Sequence, residues 1–214
     1  MSQAEKLLTR LYNDPTAFRE NGGPYALLQE HFAGLPLVRL KQLLKIDLPI
    51  DIIRAGIWIA SELGREACCL VDEAMHLLPL KDRYISYHVL DVVMVCSSRS
   101  RHELFVNIVQ MLESDDEIVA RRSAWLAGRA NKQQLQAALN GLKGNIDHKW
   151  GLEYLLNSEA LSIGEIALKV NDNSRLVQRY AAAVLRRKEV SFQSLAETVA
   201  GPINEEVRAI VERG

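Results

Sequence analysis

An all-α solenoid, a stack of about six helix pairs behind an N-terminal helical cap, is the fold class this sequence predicts, on three observations. The first is a period. The strings IIRAGIWIASEL (Ile52 to Leu63), VARRSAWLAGRA (Val119 to Ala130) and VQRYAAAVLRRK (Val177 to Lys188) align on Arg54, Arg121 and Arg179. Weaker copies place Ser86, Lys149 and Arg208 in the same column, at successive spacings of 32, 35, 28, 30 and 29 residues. A period in that range marks stacked supersecondary units that cannot bury an apolar face alone. The second observation is that apolar residues recur at three and four and almost nowhere alternate, so helices are expected throughout. The third is the supply of small residues in the strongest copies, Ala55, Gly56, Ala60, Ser123, Ala124, Ala127 and Ala181 to Ala183, which lets neighbouring helices approach closely.

Each repeat is expected to hold an outer helix followed by an inner one, with breaks at Pro, Gly or short polar clusters. A cap over residues 1–36 contains helices from Ala4 to Tyr12 and from Tyr25 to Phe32, separated by the NGGP break at Asn21 to Pro24. The array over 37–214, continuous with the cap, then pairs Leu37–Lys45 with Pro49–Leu63, and Glu66–Leu78 with Asp82–Val95 across Pro79. Arg101–Leu112 pairs with Asp116–Ala130 through the acidic turn ESDDE, where Ser114 and Asp115 are N-cap candidates. Gln133–Leu142 with Ile146–Leu155, Ile163–Val170 with Ser174–Arg187, and Phe192–Ala200 with Ile203–Glu212 complete the stack. Around Ile52 the apolar stripe is wide enough to be packed from two sides, as an inner helix requires.

A chain of 214 residues that is 48% hydrophobic can bury a substantial core. Its 26 Lys and Arg against 27 Asp and Glu give a net charge of −1, so no overall basic excess draws it to nucleic acid or to an anionic membrane. The opening MSQAEKLLTRLYNDP lacks the apolar core and cleavage site of a secretory signal, and no apolar run approaches membrane-spanning length, so a cytoplasmic protein without membrane contact is expected. Cys68 and Cys69 are adjacent and Cys96 lies in another repeat, which offers neither a paired framework nor zinc-ligand spacing; all three read as reduced, small apolar residues.

The strings IIRAGIWIASELG and DDEIVARRSAWLAG resemble the second helix of HEAT-like (armadillo-type) repeats, where an apolar residue and an Arg precede an Ala-rich run ending near Leu-Gly. The resemblance spans roughly Leu37 to Arg213 and implies a right-handed αα superhelix whose inner helices line a concave binding face. It also implies that an acid or amide in the preceding turn pairs with the repeat Arg, as Asp115 before Arg121 and Asn173 before Arg179 are placed to do. Arrays of this kind are mostly binding scaffolds, and the fold alone leaves the partner open.

Several residues stand out against that pattern. Trp58 and Trp125 follow the basic column by four, and Glu62 and Arg129 follow them by four more, so each set shares one helix face. Exposed Trp beside Arg is the composition of an interface hot spot, although the same tryptophans could fill gaps between inner helices. Tyr84, His88 and Asp91 replace the usual residues of the second repeat and fall on one side of its inner helix, where partner binding, structural hydrogen bonding or acid–base work are all open to them. Basic clusters occur at Arg99–Arg101–His102, at Arg121–Arg122–Arg129 and at Arg175–Arg179–Arg186–Arg187–Lys188. No His or Cys cluster has metal-ligand spacing and no phosphate-cradling or serine-nucleophile motif occurs, so neither a cofactor nor a metal is expected.

The expected function is therefore a non-enzymatic scaffold holding another protein on its concave face, and more narrowly an inhibitor or immunity protein that sequesters a toxin. Its binding residues are expected to be Arg54, Trp58, Tyr84, His88, Asp91, Arg122, Trp125, Arg129, Glu153 and Arg187. The alternative is a HEAT-like DNA-binding protein or DNA alkylbase glycosylase, which the Trp58–Glu62 and Trp125–Arg129 pairs resemble only in part, because no aspartate follows either Trp at the matching distance.

Overall fold

The computed structural model describes residues 1–199 and 201–213, without the side chain of Arg213. Ala200 and Gly214, expected to end a helix and the array, lie outside the described residues. Regular structure is helical throughout, and no strand occurs among the described residues. Two compact units divide the chain, Met1–Val95 and Cys96–Gly214.

In the first unit α1 (Gln3–Asn13) opens on a capping box, Ser2 accepting from the Glu5 amide and the Glu5 carboxylate accepting from the Ser2 amide. Asp14 then caps α2 (Pro15–Glu20), a short helix the periodicity does not reveal because six residues are too few to show a stripe. Pro15 at its first position costs no hydrogen bond. After α3 (Gly23–Phe32) and the short α4 (Leu37–Lys41) comes α5 (Ile50–Leu63), which buries Ile52, Ile53, Ile57, Ile59 and Ala60. Helices α2, α3 and α4 all pack against it. Gly56 lets the turn after α4 come close as well, since a Cβ there would stand 2.8 Å from Leu43 Cβ. Each large apolar side chain buried this way contributes about 1.5–3 kcal/mol.

Gly64 ends α5 with φ of 58°, a backbone state glycine adopts without strain. The single helix expected from Glu66 to Leu78 is instead a 3₁₀ stretch over Gly64–Leu70, then α6 (Val71–Met75), then a 3₁₀ turn over Leu78–Leu80. Pro79, which lacks an amide hydrogen, sits inside that last turn. Helix α7 (Arg83–Ser97) follows. Cys69 is an exposed free thiol, whereas Cys68 is disulfide-bonded, which corrects the expectation of reduced cysteines.

The second unit opens with Cys96, buried and likewise disulfide-bonded. Helix α8 (Phe105–Gln110) is flanked by 3₁₀ turns. Asp116 caps α9 (Glu117–Arg129), accepting from the amides of Ile118 and Val119, so the cap lies beyond the Ser114 and Asp115 the sequence suggested. Capping boxes at Asn131/Gln134 and Ser162/Glu165 start α10 (Lys132–Gly141) and α12 (Ile163–Val170), on either side of α11 (Ile146–Leu156). Ser174 caps α13 (Arg175–Arg187), and α14 (Phe192–Thr198) and α15 (Glu205–Arg213) close the chain.

Helix α13 is the centre of this unit and buries Tyr180 through Leu185 without interruption. It packs against α9, α11, α12 and α15, and α15 also reaches α9. The α9–α13 contact joins helices two pairs apart, so this unit closes on itself more tightly than a stack in which each pair meets only its neighbours. Small residues make it possible: a Cβ on Gly128 would stand 2.7 Å from the Ala183 carbonyl oxygen.

Candidate partner-binding site

Apart from Glu153, the expected binding residues fall into two groups, one in each unit. In the first, α5 carries Arg54 and Trp58, and α7 carries Tyr84, His88 and Asp91. The Arg54 guanidinium takes Asp82 through both oxygens, at 3.4 and 2.6 Å, and Asp51 at 3.2 Å. Its charge is committed to the start of α7, an internal tie and not a free anion site. For Asp82, burial alone would raise the carboxyl, but the Arg54 hydrogen bond, the Ile85 and Tyr84 amides and the Arg54 charge together hold it below the ordinary carboxylate range.

Trp58 is half-buried and Tyr84 is exposed. The Tyr84 ring leans on His88 with centroids 4.5 Å apart, and Tyr87 meets the same imidazole edge-on at 5.4 Å. His88 Nδ1 lies 3.0 Å from Ser61 Oγ, and Ser61 donates to the Trp58 carbonyl at 2.8 Å. The Ser61 hydroxyl thus stands within hydrogen-bond reach of both the Trp58 carbonyl and the His88 imidazole. Ser61 thereby links α5 to α7. Ser61 follows Trp58 by three on the same helix, a place that the repeat pattern does not single out. Asp91 is half-buried on α7, one turn beyond His88.

The second group surrounds Trp125 on α9. Guanidinium carbons of Arg122 and Arg129 stand 4.5 Å from its ring centroid and that of Arg186, from α13, stands at 5.7 Å. The indole is half-buried and its Nε1 is sealed from solvent with no acceptor among the described residues. Cations over an indole face gain about 0.5–2 kcal/mol each from the ring quadrupole, which offsets part of their mutual repulsion.

Arg129 and Arg186 also line an open cleft of about 1250 Å³ together with Arg187, Lys188 and Phe192. Three consecutive cations at the end of α13 each donate to backbone carbonyls, two of them at the C-terminal ends of α15 and α9. Arg186 donates to Val211 in α15 at 3.3 Å, Arg187 to Ala130 at the end of α9, and Lys188 to Ser158 and Glu159, after α11, at 3.0 and 3.4 Å. Helix carbonyl termini carry partial negative charge, so the sequence places its basic run where it is stabilising. None of Arg129, Arg186, Arg187 or Lys188 has a carboxylate partner among the described residues, although Glu159, Glu189 and Glu212 line the same cleft. Glu212 is taken by Arg208 at 3.1 Å.

The rest of the basic column is neutralised or exposed. Arg179 is buried and bonds Glu206 and the Leu112 carbonyl, not Asn173; Arg121 donates to the Glu117 carbonyl at 3.2 Å, not to Asp115. The two corrections have different causes: Arg179 meets a carboxylate that folding brings in from α15, whereas Arg121 turns back onto the carbonyl one turn earlier in its own helix. Glu153 is exposed on α11 with Lys149 at 4.0 Å and is not among the residues lining the cleft. Arg186 and Lys188, absent from the expected set, join Arg129 and Arg187 there; their signal was the basic run that ends α13. Trp150 stacks on Tyr154 with centroids 5.0 Å apart.

Among the described residues no helix is long and apolar enough to cross a membrane, and no three His, Cys, Asp or Glu side chains gather as a metal site requires. Comparison with protein-family models and with curated proteins finds no match.

Proposed function

We propose that the chain is a non-enzymatic, HEAT-like scaffold that holds another protein, in the manner of an inhibitor that sequesters a toxin. The observation that carries this reading is the Trp125 ring gathered under Arg122, Arg129 and Arg186 beside an open cleft. Aromatic and Arg side chains set in a concave surface are the usual anchors of a protein interface. The cleft is also larger than the roughly 300–1,000 Å³ that suits a small molecule. Tyr84 and Trp58, exposed and half-buried on the first unit, offer a second aromatic surface. The HEAT-like reading draws support from Arg54 and Arg179, each of which ties its helix to a later segment through a carboxylate.

Four cations without carboxylate partners also suit phosphate, so a HEAT-like DNA-binding protein or alkylbase glycosylase is the second reading. Affinity capture from the native host with the wild-type chain, Arg129→Glu and Tyr84→Ala separates the two. One protein recovered at stoichiometric yield, and lost in a variant whose melting temperature is unchanged, supports the scaffold. Recovery of nucleic acid alone, or release of a modified base from duplex DNA, would remove it.

A further inference from the structure

We infer that the cleft between the ends of α9, α13 and α15 is a recognition site for an acidic peptide segment, an inference that rests on the protein-binding reading above and names the chemistry of the partner. Four cations line it, and each is fixed from behind. Arg129 lies against the Trp125 ring, and Arg186, Arg187 and Lys188 are held by the carbonyls of Val211, Ala130, Ser158 and Glu159. A guanidinium has five N–H donors in a rigid fork, so Arg186 and Arg187, each giving one donor to a carbonyl, retain others for a ligand. Immobilised cations lose little side-chain entropy on binding, which is how a preorganised site gains affinity.

The choice of carboxylates over a phosphate chain follows from what else lines the cleft. Glu159, Glu189 and Glu212 interrupt the positive wall, so an evenly charged polynucleotide would meet repulsion at each of them. A peptide varies its charge along its length and can set carboxylates on the cations while its amides or basic residues meet the glutamates. Phe192, also in the lining with the Arg208 guanidinium 5.1 Å from its ring, supplies apolar surface for the peptide's aliphatic carbons.

The test is fluorescence anisotropy of a labelled Glu-rich peptide titrated with the full chain, beside the same peptide with Gln for Glu and a single-stranded oligothymidylate of equal length. Saturable binding of the Glu peptide is expected, at least about tenfold weaker in Arg129→Glu, the loss expected of one charge-assisted contact. It should weaken strongly in about 1 M salt, where the Debye length is about 3 Å. Arg129 makes no hydrogen bond in the described structure, so this variant should lose at most its modest contact with the Trp125 ring and still fold. Arg129→Gln, which loses the same contact but should show an intermediate loss of binding, guards against an effect of charge reversal alone. Equal binding of the Gln peptide, tighter binding of the oligothymidylate, or no binding of the Glu peptide at low salt would overturn the assignment. If the peptide fails while capture of a host protein still depends on Tyr84, only the cleft assignment falls; if that capture fails as well, so does the scaffold reading.

Discussion

The Arg179 Nε donates to Glu206 Oε1 at 2.8 Å, and both side chains are almost sealed from water, at 5% and 6% exposure. The pair joins α13 to α15, and a second guanidinium donor reaches the Leu112 carbonyl ahead of α9. One arginine therefore ties three segments of the second unit.

Removing one partner of such a pair leaves a buried charge uncompensated, at a cost of about 3–5 kcal/mol. The two partners are not equivalent. Glu206 also lies 3.6 Å from the exposed Arg175, which would remain as a counterion in Arg179→Met. Glu117, whose carboxylate feels the Arg179 charge, is exposed and already taken by Arg175, so it can replace Glu206 only weakly and Glu206→Leu should be the more damaging change. Urea denaturation of both single variants and of the joint Arg179→Met, Glu206→Leu chain measures this, and the joint variant should recover much of the loss. Single costs below about 1 kcal/mol, the range of an exposed ion pair, would show the pair to be wetter than its geometry implies.

The closest approach of α9 to α13 predicts a second asymmetry. Gly128→Ala would drive a Cβ to 2.7 Å from the Ala183 carbonyl oxygen, a backbone atom that cannot swing aside. Overpacking of this kind costs about 1–3 kcal/mol. Gly164→Ala, within α12 and with nothing inside 4 Å of the new Cβ, should instead stabilise by about 0.5–1 kcal/mol. Thermal melts of the two variants should move in opposite directions; a neutral Gly128→Ala would mean that the helices part without cost.

Helix existence was legible in the sequence because period and apolar spacing are local signals: Ile163–Val170 matches to the residue, and α5, α9, α11 and α13 to within a residue or so. What the repeat column could not reveal is which helices meet. Arg121 and Arg179 occupy equivalent places in the period, yet one is half-exposed and the other buried, because only Arg179 faces a carboxylate that folding delivers from α15. Local spacing likewise put Trp125 on one helix face with Arg121 and Arg129, whereas the ring carries Arg122 and Arg129 and also Arg186, which reaches it through the packing of α13 on α9. Tertiary contacts decide both, and a helix's own residues do not encode them.

Cysteine chemistry offers a count. Cys69 is the exposed free thiol, while Cys68 and Cys96 are disulfide-bonded. Titration with a thiol reagent under denaturing, non-reducing conditions should therefore find one equivalent per chain, and the two further thiols only after reduction. Three equivalents without reductant would restore the reduced state that the sequence suggested.

Acidification below neutrality should weaken the fold through two buried histidines. His148 is 1% exposed; its Nδ1 lies 2.9 Å from the Tyr180 hydroxyl and its Nε2 3.6 Å from Glu113 Oε2. Burial holds its imidazole below the ordinary value, outweighing the opposite pull of Glu113 and Asp147. His31, which donates from Nδ1 to the Leu35 carbonyl at 3.0 Å, is lowered by burial in the same way. The unfolded chain takes up protons near the ordinary histidine value of about 6.5, whereas the folded chain does so only at lower pH. Between those points the unfolded state binds more protons, so stability falls as pH falls, and above about 6.5 the contribution is fully present. Asp82 and Glu73, held below their ordinary carboxylate values, add their own loss only below about pH 4 and leave this window clear. Urea midpoints from about pH 7.5 down to about pH 5 should decline in the wild type. The decline should be shallower in His148→Gln, whose amide can still bond the Tyr180 hydroxyl without titrating, and flatter again when His31→Gln is added. A slope unaffected by either substitution would place the titrating groups elsewhere.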